Sequence, residues 1–152
     1  QIPLAVDSQQ AQYTLEFEGS SSLFSALEIG NPHALFQVES VATAPLETLG
    51  PLLQDHVLFP QRVNVGFFER LSDDQINLRV FERGVGETRA CGSGACAAVI
   101  AGIRLGLLTN KVTVNLSGGP LEIEYAGEGE PVFLIGPATT VYRARLDTSF
   151  NP

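Results

Sequence analysis

The sequence predicts an α+β fold in which a mixed β-sheet forms a barrel-like wrap around one central buried helix. Short segments rich in β-branched and aromatic residues, bounded by Gly, Pro and Asn, occur along most of the chain and predict strands. Between them, residues 93–105 predict a helix that is apolar on nearly every face and therefore has to be buried. A sheet curved around this helix is the simplest arrangement that buries it.

The predicted strands lie on both sides of the central helix along the chain. A second helix is predicted over residues 45–56, with Pro45 in its first turn. Gly106 follows the central helix in the position typical of a helix end. The strands are predicted over residues 11–17, 23–29, 34–38, 63–69, 75–81, 111–116, 121–125, 131–135 and 139–146.

Composition limits the class of protein and the kind of partner. The 152 residues carry a formal net charge of −8 and contain no basic run, so nucleic acid is not expected as a partner. No apolar segment approaches the roughly 20 residues of a membrane-spanning helix, so no membrane is expected either. Two cysteines in a chain of this size are typical of a reduced, cytoplasmic protein. Methionine is absent, which indicates a processed or truncated chain.

The segment around Cys91 carries the main functional signal. Gly92, Ser93 and Gly94 follow this cysteine and lead directly into the central helix. Backbone N–H groups at a helix start are unpaired, and the helix dipole places partial positive charge there. Both effects favour a thiolate and a bound carboxylate, so we predict that Cys91 is a nucleophile or a proton donor and acceptor. Cys96, inside the apolar helix, is interpreted as a core residue.

Polar residues near predicted strand ends are further candidates, each with an ordinary structural alternative. Arg83 could clamp a carboxylate and Glu82 could hold an ammonium or tune the thiol, or the two could form an exposed ion pair. Asn31 and His33 lie in a turn, where they could bind a ligand and modulate a proton or serve only turn chemistry. Asn64 is a polar residue in an apolar strand, which is weak evidence by itself.

The sequence contains no motif for a metal or a cofactor. Two cysteines in one local segment and two distant histidines do not form a metal-ligand pattern. A phosphate-binding loop and a dinucleotide fingerprint are both missing. We therefore expect a protein that works without either.

Taken together, the motifs resemble the C-terminal half of the diaminopimelate epimerases. The resemblance covers nearly the whole chain, and the combination of motifs is more specific than any one of them. It rests on Glu-Arg-Gly at residues 82–84, Gly-Glu-Thr at 86–88 and Ala-Cys-Gly-Ser-Gly-Ala-Cys-Ala-Ala at 90–98, with the segments 30–33, 62–67, 136–138 and 141–142 in the same order.

The resemblance implies a cofactor-independent enzyme that interconverts LL- and meso-diaminopimelate for lysine and peptidoglycan synthesis. In this family two cysteines act on opposite faces of the substrate, and Cys91 resembles one of them. His33 and Glu82 would adjust the acidity of the thiols, and Tyr142 resembles a homodimer contact. The substrate contacts implied by the resemblance are Asn31, Asn64, Glu82, Arg83, Gly92 and Ser93.

The sequence departs from the family at one point, because it has no second cysteine loop of the kind that an N-terminal half supplies. Cys96 cannot replace it, since a residue of the same helix cannot face Cys91 across a substrate. We therefore expect residues 1–138 to form a C-terminal domain, residues 139–152 to be a returning strand that packs on an N-terminal domain, and the isolated chain to be inactive. Two alternatives stay open: another two-thiol racemase, such as a proline racemase, and a non-catalytic binding or assembly module.

Overall fold

A computed structural model describes residues 4–17 and 19–145 of the chain. Within these residues the chain forms nine strands and two helices. In order, they are β1 (Tyr13–Phe17), β2 (Ser20–Glu28), β3 (Pro32–Gln37), α1 (Leu46–Gln54), β4 (Asn64–Arg70), β5 (Gln75–Glu82), β6 (Gly86–Thr88), α2 (Gly92–Arg104), β7 (Lys111–Leu116), β8 (Gly119–Tyr125) and β9 (Val132–Ile135).

The strands form one mixed sheet that curves around α2. Its order is β1-β2-β3-β4-β5-β7-β8-β9, and β6 pairs with β5 beside this path. The pairs β3–β4 and β5–β7 are parallel, and the other pairs are antiparallel. Each parallel pair needs a crossover connection, which contains α1 in the first case and α2 in the second. In the described part of the chain β1 and β9 remain separate edges, so the wrap is open.

The central helix is buried along most of its length. Every residue from Gly94 to Gly102 is buried, and α2 contacts β2, β3, β4, β5, β7, β8 and β9. The small side chains allow this approach: a Cβ on Gly102 would overlap Leu108. Burial of larger apolar side chains such as Val99 and Ile100 each contributes about 1.5–3 kcal/mol to stability. The predicted α+β class and the mixed sheet around a buried helix are thereby confirmed.

A second apolar cluster covers the other face of the sheet under α1. In β3, Leu35 points towards the α2 cluster, whereas Ala34 and Phe36 point towards the α1 cluster, as the alternation of a strand requires. The ring of Phe36 lies 5.4 Å from that of Phe24 and 5.7 Å from that of Phe67. Both faces of β3 and β4 are therefore packed, which fixes the positions of the residues at their ends.

One predicted strand is not formed within the described residues. A strand was expected over residues 139–146, but residues 139–145 form no strand, and Leu146 lies outside the described residues. Val141 and Tyr142 are 89% and 80% exposed. A strand forms only where another edge pairs with its backbone, and local propensity does not reveal whether that edge is present.

Candidate active site

Four segments bring the candidate residues to one end of the curved sheet. Because β3 and β4 are parallel, with His33 opposite Asn64, both strands begin at this end. The antiparallel β5 ends there at Glu82, and α2 begins there after Cys91. The topology therefore gathers residues that are far apart in the sequence.

Cys91 is the residue that precedes the first turn of α2. Its backbone is extended, with φ −139° and ψ 102°, and its carbonyl accepts the first helical hydrogen bond from Ala95 at 2.9 Å. The side chain is 5% exposed. Gly94 leaves room for the sulfur, because a Cβ there would lie 3.2 Å from Cys91 Sγ and 3.0 Å from Val80. The sequence prediction that this thiol lies at a helix start is confirmed.

The electrostatic expectation for Cys91 requires a correction. Burial raises the pKa of the Cys91 thiol and is the largest influence on it. Hydrogen bonds from the Ser93 hydroxyl and the Gly94 backbone act in the opposite direction, while the Glu82 carboxylate raises the pKa further. The donors expected at the helix start are thus present, but in this chain the loss of solvation outweighs them.

Two neighbours enclose the start of α2. Leu134 of β9 lies over Gly92, so closely that a Cβ on this glycine would be 2.8 Å from the leucine methyl group. Ser93 is half-buried, and its Oγ lies 3.6 Å from Cys91 Sγ, within hydrogen-bonding distance for sulfur. The sulfur is therefore shielded from water but keeps a hydroxyl partner.

His33 is fully buried beside this hydroxyl. Its Nε2 lies 3.1 Å from Asn31 Oδ1 and 3.1 Å from Ser93 Oγ, whereas the buried Nδ1 has no hydrogen-bond partner in the part of the chain that the structure describes. A proton on Nδ1 would be an unsatisfied buried donor, so we assign the proton to Nε2. Burial lowers the pKa of His33 to about 4, against the opposing effect of Glu82, so the ring is neutral at pH 7.

Glu82 adds a carboxylate to the same group. It accepts a hydrogen bond from Thr88 Oγ1 at 2.5 Å, and its carboxylate raises the pKa of the Cys91 thiol. Thr88 was not singled out from the sequence. Only its place in the Gly-Glu-Thr motif pointed to it, because its proximity to Glu82 depends on the pairing of β6 with β5.

Asn64 and Arg83 are joined to each other beside this group. The Asn64 side chain, 3% exposed, donates to the carbonyl of Pro32 at 2.9 Å and accepts from the Arg83 backbone N–H at 2.8 Å. Asn64 thus ties β3 to the end of β5 in this structure. The guanidinium of Arg83 is exposed and donates to the Gln61 carbonyl at 3.0 Å.

Two further residues considered in the sequence analysis, Cys96 and Tyr142, lie apart from the residues around Cys91. Cys96 is 4% exposed within the apolar core, where burial raises the pKa of its thiol, and both cysteines are free. Tyr142 lies in the segment without a strand. Among the described residues no group of three or more His, Cys, Asp and Glu side chains could hold a metal ion, and no helix is long and apolar enough to cross a bilayer.

The chain is similar to known proteins along nearly its whole length. The sequence profile of the family "Diaminopimelate epimerase" matches residues 25–141. The diaminopimelate epimerase of Thioalkalivibrio sulfidiphilus is 51% identical over 97% of this chain and 53% of its own length. That of Ectopseudomonas mendocina is 49% identical over 96% of this chain and 53% of its own length. The chain therefore spans about half the length of these curated relatives.

Solved structures share the fold at low sequence identity. A hydroxyproline epimerase from Agrobacterium vitis, crystallised with trans-4-hydroxy-L-proline, matches 82% of this chain and 43% of its own with a TM-score of 0.55 at 18% identity. A phenazine biosynthesis protein of the PhzF family from Enterococcus faecalis matches 64% of this chain and 35% of its own length, with a TM-score of 0.51 at 17% identity. These likenesses concern the fold alone, whereas the profile match and the half-identical relatives establish that the chain belongs to the diaminopimelate epimerase family.

Proposed function

We propose that the chain is the C-terminal half of a cofactor-independent epimerase that interconverts LL- and meso-2,6-diaminopimelate. The observation that carries this proposal is the Cys91 thiol at the start of α2, 3.6 Å from the hydroxyl of Ser93. A thiol placed among oriented donors suits the removal of a weakly acidic α-proton. The family and the relatives' names supply the substrate class.

The reaction uses proton transfer only. The Cys91 thiolate removes the proton from the substrate's α-carbon, so that a C–H bond breaks, an S–H bond forms and the electron pair moves into the α-carboxylate. A second thiol on the opposite face returns a proton to the α-carbon, and the reverse reaction exchanges the two roles. No electrons are gained or lost overall, so neither a cofactor nor a metal is required.

The negative charge that develops on the substrate carboxylate needs donors that are already in place. The backbone N–H groups of Gly92 and Ser93 lie in the first turn of a 13-residue helix, where such groups have no helical acceptor. Removing one such donor from an enzyme site typically slows the reaction about 100- to 1,000-fold. We assign these two N–H groups to the α-carboxylate.

The remaining side chains divide into those that tune the thiol and those that hold the substrate. Glu82 and His33 adjust the acidity of the thiols, His33 in its neutral form. Asn31, Arg83 and Glu82 contact the polar groups of the substrate, and the exposed guanidinium of Arg83 suits a second carboxylate. Asn64 also contacts the substrate, because its amide has a second N–H and a second oxygen lone pair beyond its two present hydrogen bonds.

The second thiol has to come from outside this chain. Cys96 is buried in the same helix as Cys91 and cannot reach the opposite face of a substrate. We propose that an N-terminal domain supplies the second cysteine, that residues 1–138 are the C-terminal domain, and that residues 139–152 pack on that partner. In the complete cytoplasmic protein, Tyr142 contacts a second copy in a homodimer. The isolated chain is inactive.

A chimeric enzyme tests this proposal. This chain replaces the aligned segment of the Thioalkalivibrio sulfidiphilus epimerase, which is 51% identical to it. We expect the chimera to support growth of a bacterium that lacks its own diaminopimelate epimerase and to convert LL- into meso-diaminopimelate. A folded chimera that instead racemises proline or hydroxyproline, or neither class of amino acid, contradicts the proposal.

The isolated chain is the matched control. Without a second thiol it can complete no inversion, so we expect no conversion above that of a sample without protein. Conversion by the isolated chain near the rate of the chimera would contradict the two-thiol mechanism.

A further inference from the structure

We infer that Thr88 is a positioning residue that fixes the Glu82 carboxylate, the charged group that acts on the Cys91 thiol. The role of this arrangement in catalysis rests on the proposed function, but the arrangement itself rests on the geometry of β5 and β6. Neither the sequence motifs nor the comparisons assign a role to Thr88.

The strand register brings the two side chains together. In the β5–β6 pair, Thr88 lies opposite Val80, and Gly86 lies opposite Glu82. Thr88 is therefore the diagonal neighbour of Glu82 on the same face of the ribbon, a separation that a glutamate side chain can bridge. The glycine opposite Glu82 has no side chain that would compete for this space, and its φ of 100° favours glycine there.

The Thr88 hydroxyl has two acceptors within reach, and their distances decide between them. Its Oγ1 lies 2.5 Å from Glu82 Oε1 and 3.4 Å from the carbonyl oxygen of Ala90. A short O–H···O⁻ bond is much the stronger of the two, so the proton is donated to Glu82. With Oε1 held in this way, the Glu82 carboxylate loses rotational freedom and keeps a fixed position at the end of β5.

The position of Thr88 does not depend on Glu82. The neighbouring Glu87 forms two hydrogen bonds of 2.7 Å with the guanidinium of Arg79 on β5. After β6, the carbonyl of Arg89 accepts from the Gly118 backbone at 2.7 Å and from the Ser117 hydroxyl at 3.2 Å. These contacts hold β6 and the following loop on both sides, so we expect the fold to survive loss of the Thr88 hydroxyl.

The groups that face the Cys91 sulfur come from three elements. Glu82 approaches from β5, and the neutral His33 acts from β3 through Ser93 of α2. Cys96 lies further along α2. Burial disfavours the ionised forms of His33 and Cys96, whereas the Glu82 carboxylate acts on the Cys91 thiol through its charge, so its displacement is the change that the thiol would register most strongly.

The experiment follows the ionisation of both thiols by NMR in the full chain labelled with carbon-13 at the cysteine Cβ atoms. Thr88→Val removes the hydroxyl at nearly constant shape, Thr88→Ser restores it, and Glu82→Gln marks the effect of losing the charge. We expect T88V to move the Cys91 midpoint to lower pH, in the same direction as E82Q and by at least half as much. T88S should titrate like the wild type, and T88V should add nothing in the E82Q background.

The Cys96 signal is the internal control. Because Cys91 acts on the pKa of Cys96, we expect at most a small secondary shift of the Cys96 midpoint that follows the shift of Cys91. A Cys91 midpoint that is unchanged in T88V, or that T88V shifts equally with and without the Glu82 carboxylate, would overturn the inference. If T88V moves the Cys96 midpoint as far as that of Cys91, T88A is measured instead and is read by the same criteria. Failure of the chimera to epimerise diaminopimelate would leave this titration unaffected, so the two proposals fail separately.

Discussion

Cys91 and Cys96 lie five positions apart at the start and in the middle of the same helix, and burial does not distinguish them. Their exposed fractions are 5% and 4%, and burial raises the pKa of both thiols. Both cysteines belong to the apolar cluster between α2 and the sheet. The pKa of Cys91, however, also responds to the Ser93 hydroxyl, the Gly94 N–H and the Glu82 carboxylate, whereas among the described residues no polar side chain other than Cys91 acts on that of Cys96. The polar groups at the helix start, rather than the solvent exposure of the sulfur, therefore distinguish the candidate acid–base thiol.

The largest expected difference between the two thiols is in activity. In the chimera, Cys91→Ser removes the group that transfers the α-proton, so we expect epimerisation to slow by about 1,000-fold or more. Cys96→Ser changes a core residue that does not reach the substrate, so we expect a rate within about threefold of the wild type, provided that the chimera remains folded by circular dichroism. Similar losses in both variants would show that the comparison is wrong.

The second largest effect is the pH dependence of stability that His33 causes. This buried histidine contacts Ser93, which in turn contacts Cys91. Because burial lowers its pKa to about 4 in the folded chain, against 6.5 for an unperturbed imidazole, the unfolded chain binds the proton more tightly. The stability that comes from the neutral ring is complete above about pH 6.5 and is lost as the pH falls towards about 4, a decrease of about 3 kcal/mol.

Urea unfolding of the wild type and of His33→Gln at about pH 7 and about pH 4 measures this contribution. We expect the free energy of unfolding to fall by about 3 kcal/mol more in the wild type than in H33Q, because the carboxylates contribute equally to both proteins. An equal fall in the two proteins would mean that His33 is not buried in its neutral form.

A smaller effect is expected from the hydroxyl that connects His33 to Cys91. Ser93→Ala removes a donor that favours the thiolate, so we expect the pKa of Cys91 to rise and epimerisation by the chimera to slow about tenfold. Ser93→Thr keeps the hydroxyl and should retain most of the rate. The pH dependence of the rate in both variants provides the measurement, and an S93A profile identical to that of the wild type would contradict this role.

Much of the fold follows from local patterns in the sequence. The apolar, alanine-rich segment predicted over residues 93–105 is α2, and it is buried as its composition requires. Most strands were predicted to within a few residues, because alternation and turn residues are local signals. The strand expected over residues 139–146 is not formed by residues 139–145 in this chain, since pairing depends on a partner edge that propensity does not report.

The sequence allowed the candidate residues to be named, but it could not give the balance of forces among them. Asn31, His33, Glu82 and Ser93 follow from separate motifs, and the structure brings these motifs together at the ends of β3 and β5 and the start of α2. The sequence also predicted that Cys91 favours the thiolate, because a helix start, and with it the positive end of the helix dipole, can be recognised from the sequence pattern. It could not show how completely Leu134 and the sheet exclude water, and that exclusion decides the direction in which the pKa of Cys91 moves.

Thiol labelling in the chimera shows which of the two cysteines meets the substrate. Both cysteines lie between the trypsin sites at Arg89 and Arg104, so fragment ions of one peptide report how much iodoacetamide each thiol has taken up. We expect Cys91 to be alkylated first, and saturating diaminopimelate to slow its labelling while leaving that of Cys96 unchanged. Protection of Cys96 by diaminopimelate, or of neither thiol, would contradict the account.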